Sequence, residues 1–187
     1  MADSESTTSK IANPAGLGLL AFGMTTMLLS LHNLGLYGLD STILTMGIFY
    51  GGIAQVIAGI FEFKKGNTFG ATAFTSYGLF WLTFVAINTG VAGGASEPNA
   101  LGAYFAIWGI LTLFLFVGTL KASRALQAVF LGLTILFFVV AIKDVTEISD
   151  LAYVAGAVGV FTAASAMYTA FGEILNEMYG RTILPLC

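Results

Sequence analysis

The residues able to do chemistry in this sequence are a few polar side chains set within long apolar segments. Thr25, Gln55 and Thr75 lie inside such segments, and Glu62 and Glu173 lie near segment ends. A polar group costs free energy in lipid, so it usually faces a water-filled cavity or a neighbouring helix. Gln55 is the costliest of the uncharged groups. Its amide is suited to donate either to a substrate carboxylate or to another helix, and both interpretations stay open.

Other kinds of chemistry are excluded by what the sequence lacks. It contains a single histidine, His32, and a single cysteine, Cys187. These counts leave no disulfide framework and no Cys-rich or His-based metal cluster. Seven lysines and arginines are too few for a nucleic-acid surface. We therefore expect no enzyme, no metal or other cofactor, and no nucleic-acid partner. His32, near the outer end of the first apolar segment, is at most a candidate sensor of external pH.

The elements that hold these side chains follow from composition. Of the 187 residues, 57% are hydrophobic and only 9% are charged, with a mean hydropathy of +0.90. Soluble domains carry about a quarter charged residues. The uncharged runs here are long enough for transmembrane helices, which need about 20 apolar residues. We predict an all-α integral membrane protein, a single domain over residues 1–187, with six spans at about 14–36, 42–63, 68–90, 99–120, 124–143 and 150–178.

The distribution of positive charge predicts the orientation of the spans. Lys143 lies alone on one side of the predicted topology, and the other cations fall on the opposite side: Lys10, Lys64, Lys65, Lys121, Arg124 and Arg181. Positive residues favour the cytoplasmic side. We therefore expect a multi-pass protein of the cytoplasmic (inner) membrane with both termini in the cytoplasm. A cleavable signal peptide is not expected, because acidic residues replace its basic region.

The number of spans permits an internal symmetry. Two halves of three helices each must have opposite orientations in the membrane, and such inverted repeats place a substrate path between them. Asn13-Pro14-Ala15-Gly16-Leu17-Gly18 at the start of the first span faintly resembles Pro98-Asn99-Ala100-Leu101-Gly102 at the start of the fourth. A 3+3 inverted repeat is therefore a hypothesis.

The start of the first span also has a possible chemical role. Asn13 is a good N-cap residue, and Pro14 suits the first helical position. The free N–H groups of such a helix start carry a partial positive charge, which would attract a carboxylate to the cytoplasmic mouth. The alternative is that Asn13 only caps the helix.

Several motifs resemble the acetate uptake transporter family. The sequence NPAGLGL at 13–19 is similar to the family signature Asn-Pro-Ala-Pro-Leu-Gly-Leu, with Gly16 at the second proline. Further similar motifs are FGMTT at 22–26, MGIFYGGIAQ at 46–55, KKGNTFG at 64–70, TSYG at 75–78, GTLK at 118–121, GEILNE at 172–177 and GRT at 180–182. The resemblance covers almost the whole chain from Ile11 onward.

The resemblance implies both architecture and cargo. It implies six-helix protomers assembled as a homo-hexamer in lipid, each protomer with its own pore. It also implies transport of acetate, related monocarboxylates and succinate, linked to protons. The family fold is similar to that of proton-gated urea channels and short-amide channels, so a urea or amide channel is the alternative. A membrane sensor of acetate is a weaker third possibility, because the chain has only short tails.

The resemblance further implies a hydrophobic constriction formed by Phe22, Tyr77 and Leu133, with Ala166 at a specificity position. The depths of the three larger residues agree with this. Each lies about eight or nine residues into its span, or roughly 12–14 Å at 1.5 Å per residue, on helices that run in the same direction. A ring is therefore geometrically allowed.

Glu62, Glu173 and Asn176 lie at the predicted cytoplasmic ends of two spans. They are candidates for an inner vestibule or for proton exchange. The alternative is that they are solvated helix ends, with the carboxylates paired to Lys64, Lys65 or Arg181. No span is expected to contain an Asp or Glu deep enough to relay protons. We therefore expect the proton to cross with the substrate as the neutral acid.

Overall fold

The computed structural model describes residues 11–91 and 93–187, so the acidic N-terminal residues and Lys10 lie outside the described residues. Six helices in the described part are long and apolar enough to cross a membrane. The prediction of a six-helix membrane protein is confirmed. The helices are α1 (Ala15–Asn33), α2 (Ser41–Lys65), α3 (Thr68–Thr89), α4 (Pro98–Thr119), α5 (Arg124–Thr146) and α6 (Leu151–Tyr179).

The helix ends follow from local sequence. The helix α1 stops at Asn33, before the predicted end at residue 36, because Gly35 adopts a left-handed φ of 80°. Only two residues connect α2 to α3. Gly66 ends α2 with φ 78°, and the Asn67 side chain caps α3 by accepting from the Gly70 amide at 3.1 Å. Such short connections make consecutive helices antiparallel.

Helix α2 contains a π-helical segment, Gly47–Ala54, between two α-helical parts. At this segment α2 packs closely on α1 and α3. A Cβ added to Gly51 would lie 2.9 Å from both the Thr25 methyl carbon and the Trp81 ring. Glycine is therefore required there, and π-turns of this kind often occur at functional sites. Gln55 follows directly after the segment.

The helices form a ring in chain order around a shared interior. Helix α1 packs along α6 and α2, α2 packs along α3, and α5 packs along α4 and α6. The backbones of α3 and α4 stand apart, and aromatic side chains fill the space between them. The Phe80 and Tyr104 rings stack with centroids 5.9 Å apart, and the hydroxyls of Thr83 and Tyr104 are hydrogen-bonded at 2.7 Å.

This asymmetry bears on the predicted inverted repeat. An exact repeat would exchange α1 with α4 and α3 with α6, so the α1–α6 contact would correspond to the α3–α4 contact. The first of these is extensive and the second is sparse. The two halves therefore pack differently. An inverted repeat with approximate symmetry remains a hypothesis.

Candidate functional site

Two cavities lie one above the other inside the helix ring. The proximal cavity, of about 230 Å³, opens on the side of Asn13 and Glu173. The distal cavity, of about 220 Å³, opens on the side of Asn33 and Lys143. A water molecule occupies about 30 Å³ in the liquid, so each cavity has room for a small hydrated solute. Both lie within one chain and are lined by its own helices.

The cavities meet at the three residues for which a constriction is expected. Phe22 and Leu133 line both cavities, and Tyr77 lines the proximal one. All three are at least 95% buried, and the Phe22 and Tyr77 rings have centroids 6.1 Å apart. The Tyr77 hydroxyl donates to Thr112 Oγ1 at 3.0 Å, which holds its ring in place. An apolar barrier of this kind excludes hydrated and bulky solutes.

A regular spacing connects this barrier to the distal cavity. Thr26, Trp81 and Phe137 all line the distal cavity, and each follows a barrier residue by four positions. Residues four apart share a helix face, so the three helices keep the same face toward the interior over successive turns. Neither Trp81 nor Phe137 was expected in the site from the sequence. This four-residue spacing from the barrier residues is the signal that would have found them.

The distal cavity contains hydrogen-bond donors without partners. Thr26 Oγ1 and Trp81 Nε1 are buried, and neither has a hydrogen-bond partner among the described residues. Unpaired buried donors cost free energy unless an acceptor reaches them. A carboxylate oxygen is such an acceptor. At the cavity mouth, Lys143 Nζ forms an ion pair with Asp144 Oδ1 at 2.8 Å.

The proximal cavity is lined on one side by α2. Gln55 and Glu62 both line it, at 1% and 0% exposure. They are seven residues apart on one helix face, or roughly 10 Å along the axis at 1.5 Å per residue. Gln55 Oε1 and both carboxyl oxygens of Glu62 lack hydrogen-bond partners within the described ranges. Glu62 is therefore a buried acidic residue within a span, three residues before the end of α2, because α3 covers it. The expectation that no acidic residue lies deep enough to relay protons stays a prediction.

A hydrogen-bonded bridge lies at the proximal mouth. Asn13 Nδ2 donates to Glu173 Oε2 at 2.8 Å, and Lys65 Nζ donates to Asn13 Oδ1 at 2.8 Å. This bridge joins the start of α1 to the ends of α2 and α6. The alternative in which Glu62 and Glu173 pair with basic residues is contradicted for the described residues, whose single ion pair joins Lys143 to Asp144.

Three further predicted site residues line neither cavity. Thr25 Oγ1 donates to the Ala21 carbonyl at 2.7 Å. Thr75 is packed against Gly59 of α2, which explains why that position has no side chain. Ala166 is fully buried in the hydrophobic core that also contains the barrier residues. Thr25 bonds its own helix, and Thr75 and Ala166 are packed in the interior, so any effect of these residues on a substrate would pass through packing.

Asn176 and His32 also lie outside both cavities. The Asn176 side chain accepts from the Leu184 amide at 3.0 Å and donates to its carbonyl at 2.9 Å, which anchors the C-terminal tail. His32 Nδ1 lies 2.8 Å from the carbonyl oxygen of Tyr37 in the α1–α2 connection. Partial desolvation, and to a lesser degree the Asp40 carboxylate, raises the pKa of the Tyr37 hydroxyl above its usual value.

The family described as the GPR1/FUN34/yaaH family matches residues 2–185. The chain is 57% identical over 181 residues to the Succinate-acetate/proton symporter SatP of Escherichia coli (strain K12), covering 95% of this chain and 96% of that protein. It is 38% identical over 178 residues to Ammonia transport outward protein 2 of Saccharomyces cerevisiae (strain ATCC 204508 / S288c). That match covers 90% of this chain and 63% of the yeast protein.

A solved structure has the same fold as this chain. The structure of the bacterial acetate channel SatP is 56% identical and has a TM-score of 0.93, covering 95% of this chain and 100% of that one. The symporter and the channel are transport proteins and not enzymes, as expected for this chain. The resemblance found in the sequence motifs is confirmed, and the chain belongs to the GPR1/FUN34/yaaH family.

Proposed function

We propose that this chain transports small carboxylic acids, acetate and succinate, across a membrane and in company with protons. The observation that carries the proposal is the pair of cavities inside one chain, separated by Phe22, Tyr77 and Leu133. The kinship with a succinate-acetate/proton symporter and with an acetate channel supports the choice of cargo.

The geometry supports a simple route for a carboxylic acid. In the distal cavity, the Thr26 hydroxyl and the Trp81 indole N–H are free to bind carboxylate oxygens. At the barrier, the apolar side chains make a bare carboxylate costly, because nothing there replaces its hydration. A neutral acid pays far less, so the barrier favours the protonated form of the substrate. Beyond the barrier, Gln55 in the proximal cavity offers polar contacts again.

A channel for urea or short amides is the alternative from the sequence, and the comparisons do not favour it. A neutral amide would also pass an apolar barrier, so the barrier alone does not decide between the two cargoes. The symporter and the channel are named for succinate and acetate, and the yeast relative is named for ammonia.

Flux measurements on purified protein in liposomes test the cargo directly. Labelled acetate, succinate, urea and methylammonium are offered separately, and the uptake into protein-free liposomes is subtracted for each. We expect protein-dependent uptake of acetate and succinate that unlabelled acetate inhibits. Uptake of urea or methylammonium that exceeds uptake of both acids would overturn the proposal.

The placement in the membrane is also a proposal. The side that carries Lys64, Lys65, Lys121, Arg124 and Arg181 is the cytoplasmic side of the inner membrane, because cations favour that side. Cys187 is exposed and is the single cysteine of the sequence, so it reports the location of the C-terminus without mutagenesis. A membrane-impermeant maleimide should label Cys187 in inside-out vesicles and leave it unlabelled in intact spheroplasts.

A homo-hexamer in lipid is the proposed assembly. The basis is the family resemblance, together with large apolar side chains exposed on the outside of the ring, including Phe49, Ile53 and Phe114. Such side chains can face lipid or a neighbouring protomer. Native mass spectrometry from detergent should give six copies of the chain, and a monomer under the same conditions would contradict the assembly.

A further inference from the structure

Glu62 is an unusual group in this bundle. It lies in the last two turns of α2, it is fully buried, and it lines the proximal cavity. Neither of its carboxyl oxygens has a hydrogen-bond partner among the described residues. An ionisable side chain buried in a membrane protein without a partner is costly, and such groups mark ion and proton pathways.

The packing around Glu62 shows that its position is built into the fold. A Cβ added to Gly70 would lie 3.0 Å from the carboxyl carbon of Glu62 and 2.6 Å from Asn67 Nδ2. The carboxyl group therefore rests against the first turn of α3, where only glycine leaves enough room.

The other charged and titratable groups that line the cavity are bonded elsewhere, and none is paired directly with Glu62 among the described residues. Lys65, on the same helix, donates to Asn13, and Glu173 of α6 accepts from Asn13. Tyr77 of α3 donates to Thr112. The residues of α1 and α5 that line this cavity add no titratable side chain to it. A carboxylate substrate that enters the cavity therefore meets a carboxyl group that no described residue binds directly.

We propose that Glu62 adds a second, charge-based requirement for a proton in the proximal cavity, beyond the preference of the apolar barrier, which rests on the proposed function above. Two carboxylates confined in a cavity of about 230 Å³ cannot both be ionised at low cost. A substrate can occupy the cavity only when it and Glu62 share at least one proton. The bare anion is rejected, and the neutral acid is accepted.

The proton transfer in the cavity is balanced. The O–H bond of the arriving acid breaks as a new O–H bond forms on the Glu62 carboxylate, which leaves a substrate carboxylate and a neutral Glu62. The substrate anion leaves through the proximal mouth, and Glu62 then gives its proton to water there. One substrate carboxylate and one proton cross together, and the chain returns to its starting state.

The test separates two driving forces in proteoliposomes. Acetate uptake is measured with a pH gradient at zero membrane potential, and with a potassium–valinomycin potential, positive inside, at equal pH. The wild-type protein should respond to the pH gradient and ignore the potential, because one acetate anion and one proton that cross together move no net charge. Glu62→Gln should reduce the ratio of pH-driven to potential-driven uptake by about tenfold or more, since it removes the like charge.

Two variants serve as controls. Glu177→Gln makes the same substitution at an exposed position on the same side of the bundle, outside the cavity, and should behave as wild type. Glu62→Asp keeps a carboxyl group and should keep the pH-driven response. A Glu62→Gln protein that still ignores the potential and follows the pH gradient would overturn the proposal.

A measurement on the wild-type protein covers the case in which Glu62→Gln does not fold. Acetate binding is titrated calorimetrically in two buffers that differ in ionisation enthalpy. We expect uptake of about one proton per acetate bound near neutral pH, since the substrate and Glu62 share one proton in the proposed bound state. Acetate binding without proton uptake would contradict the role of Glu62. If the wild-type protein moves no acetate under either force, the proposed function itself fails.

Discussion

Shortening Leu133 to alanine is expected to weaken the size barrier between the two cavities. Leu133 lines both cavities and is 3% exposed. The substitution removes its isopropyl group and should widen the passage between the cavities. Leucine-to-alanine changes in packed cores cost roughly 2–5 kcal/mol. We expect a cost of about 2 kcal/mol here, near the lower limit, because cavities on both sides leave Leu133 with fewer packing partners.

The effect on selectivity is larger than the effect on stability. A pocket that excludes one methylene-sized group discriminates by roughly 10–200-fold. Without the Leu133 side chain, the ratio of acetate flux to lactate flux should fall by about tenfold. The assay is the uptake of labelled acetate and labelled lactate into the same batch of proteoliposomes, normalised to the amount of inserted protein.

The chain offers a matched control on the same helix. Leu131 is 45% exposed on the outer surface of the bundle, and it does not line either cavity. Leu131→Ala therefore makes the same chemical change away from the path and should leave the acetate-to-lactate ratio unchanged. Equal ratios for wild type, Leu131→Ala and Leu133→Ala would refute the barrier.

Three other substitutions test separate contacts. Tyr77→Phe keeps the ring but removes the hydrogen bond to Thr112, so the melting temperature should fall by the equivalent of about 1 kcal/mol while acetate flux persists; an unchanged melting temperature would contradict the contact. Trp81→Phe removes the unpaired indole N–H, and the KM for acetate should rise about tenfold, as expected for one lost hydrogen bond to a charged group. Lys143→Gln removes the cation of the Asp144 pair at the distal mouth, and uptake should fall about twofold at low salt and be unaffected at high salt; a loss that persists at high salt would point to a direct contact with substrate.

Much of the fold could be predicted from the sequence because long uncharged segments have few structural solutions in lipid. Six spans, their ends to within a few residues, and the shared depth of Phe22, Tyr77 and Leu133 all follow from spacing. The π-helical segment at Gly47–Ala54 could not be predicted in this way. It depends on the close approach of α2 to α1 and α3, which is a property of tertiary packing.

The site was less predictable than the fold, and Glu62 shows why. In the sequence Glu62 stands beside Lys64 and Lys65 at a segment end, which is typical of a solvated helix terminus. Its burial depends on α3, whose first turn covers it at Gly70. Thr25 shows the opposite case: it lines neither cavity, because a polar residue in an apolar helix can bond its own backbone.

The central claim is that the substrate passes between the two cavities inside each chain. A cysteine introduced by Leu133→Cys, in a Cys187→Ser background, tests it most directly. Reaction with a small methanethiosulfonate should block acetate uptake, and acetate present during the reaction should slow the block. The same reagent on Leu131→Cys should leave uptake intact. Full acetate uptake after complete modification at position 133 would contradict a path through the chain.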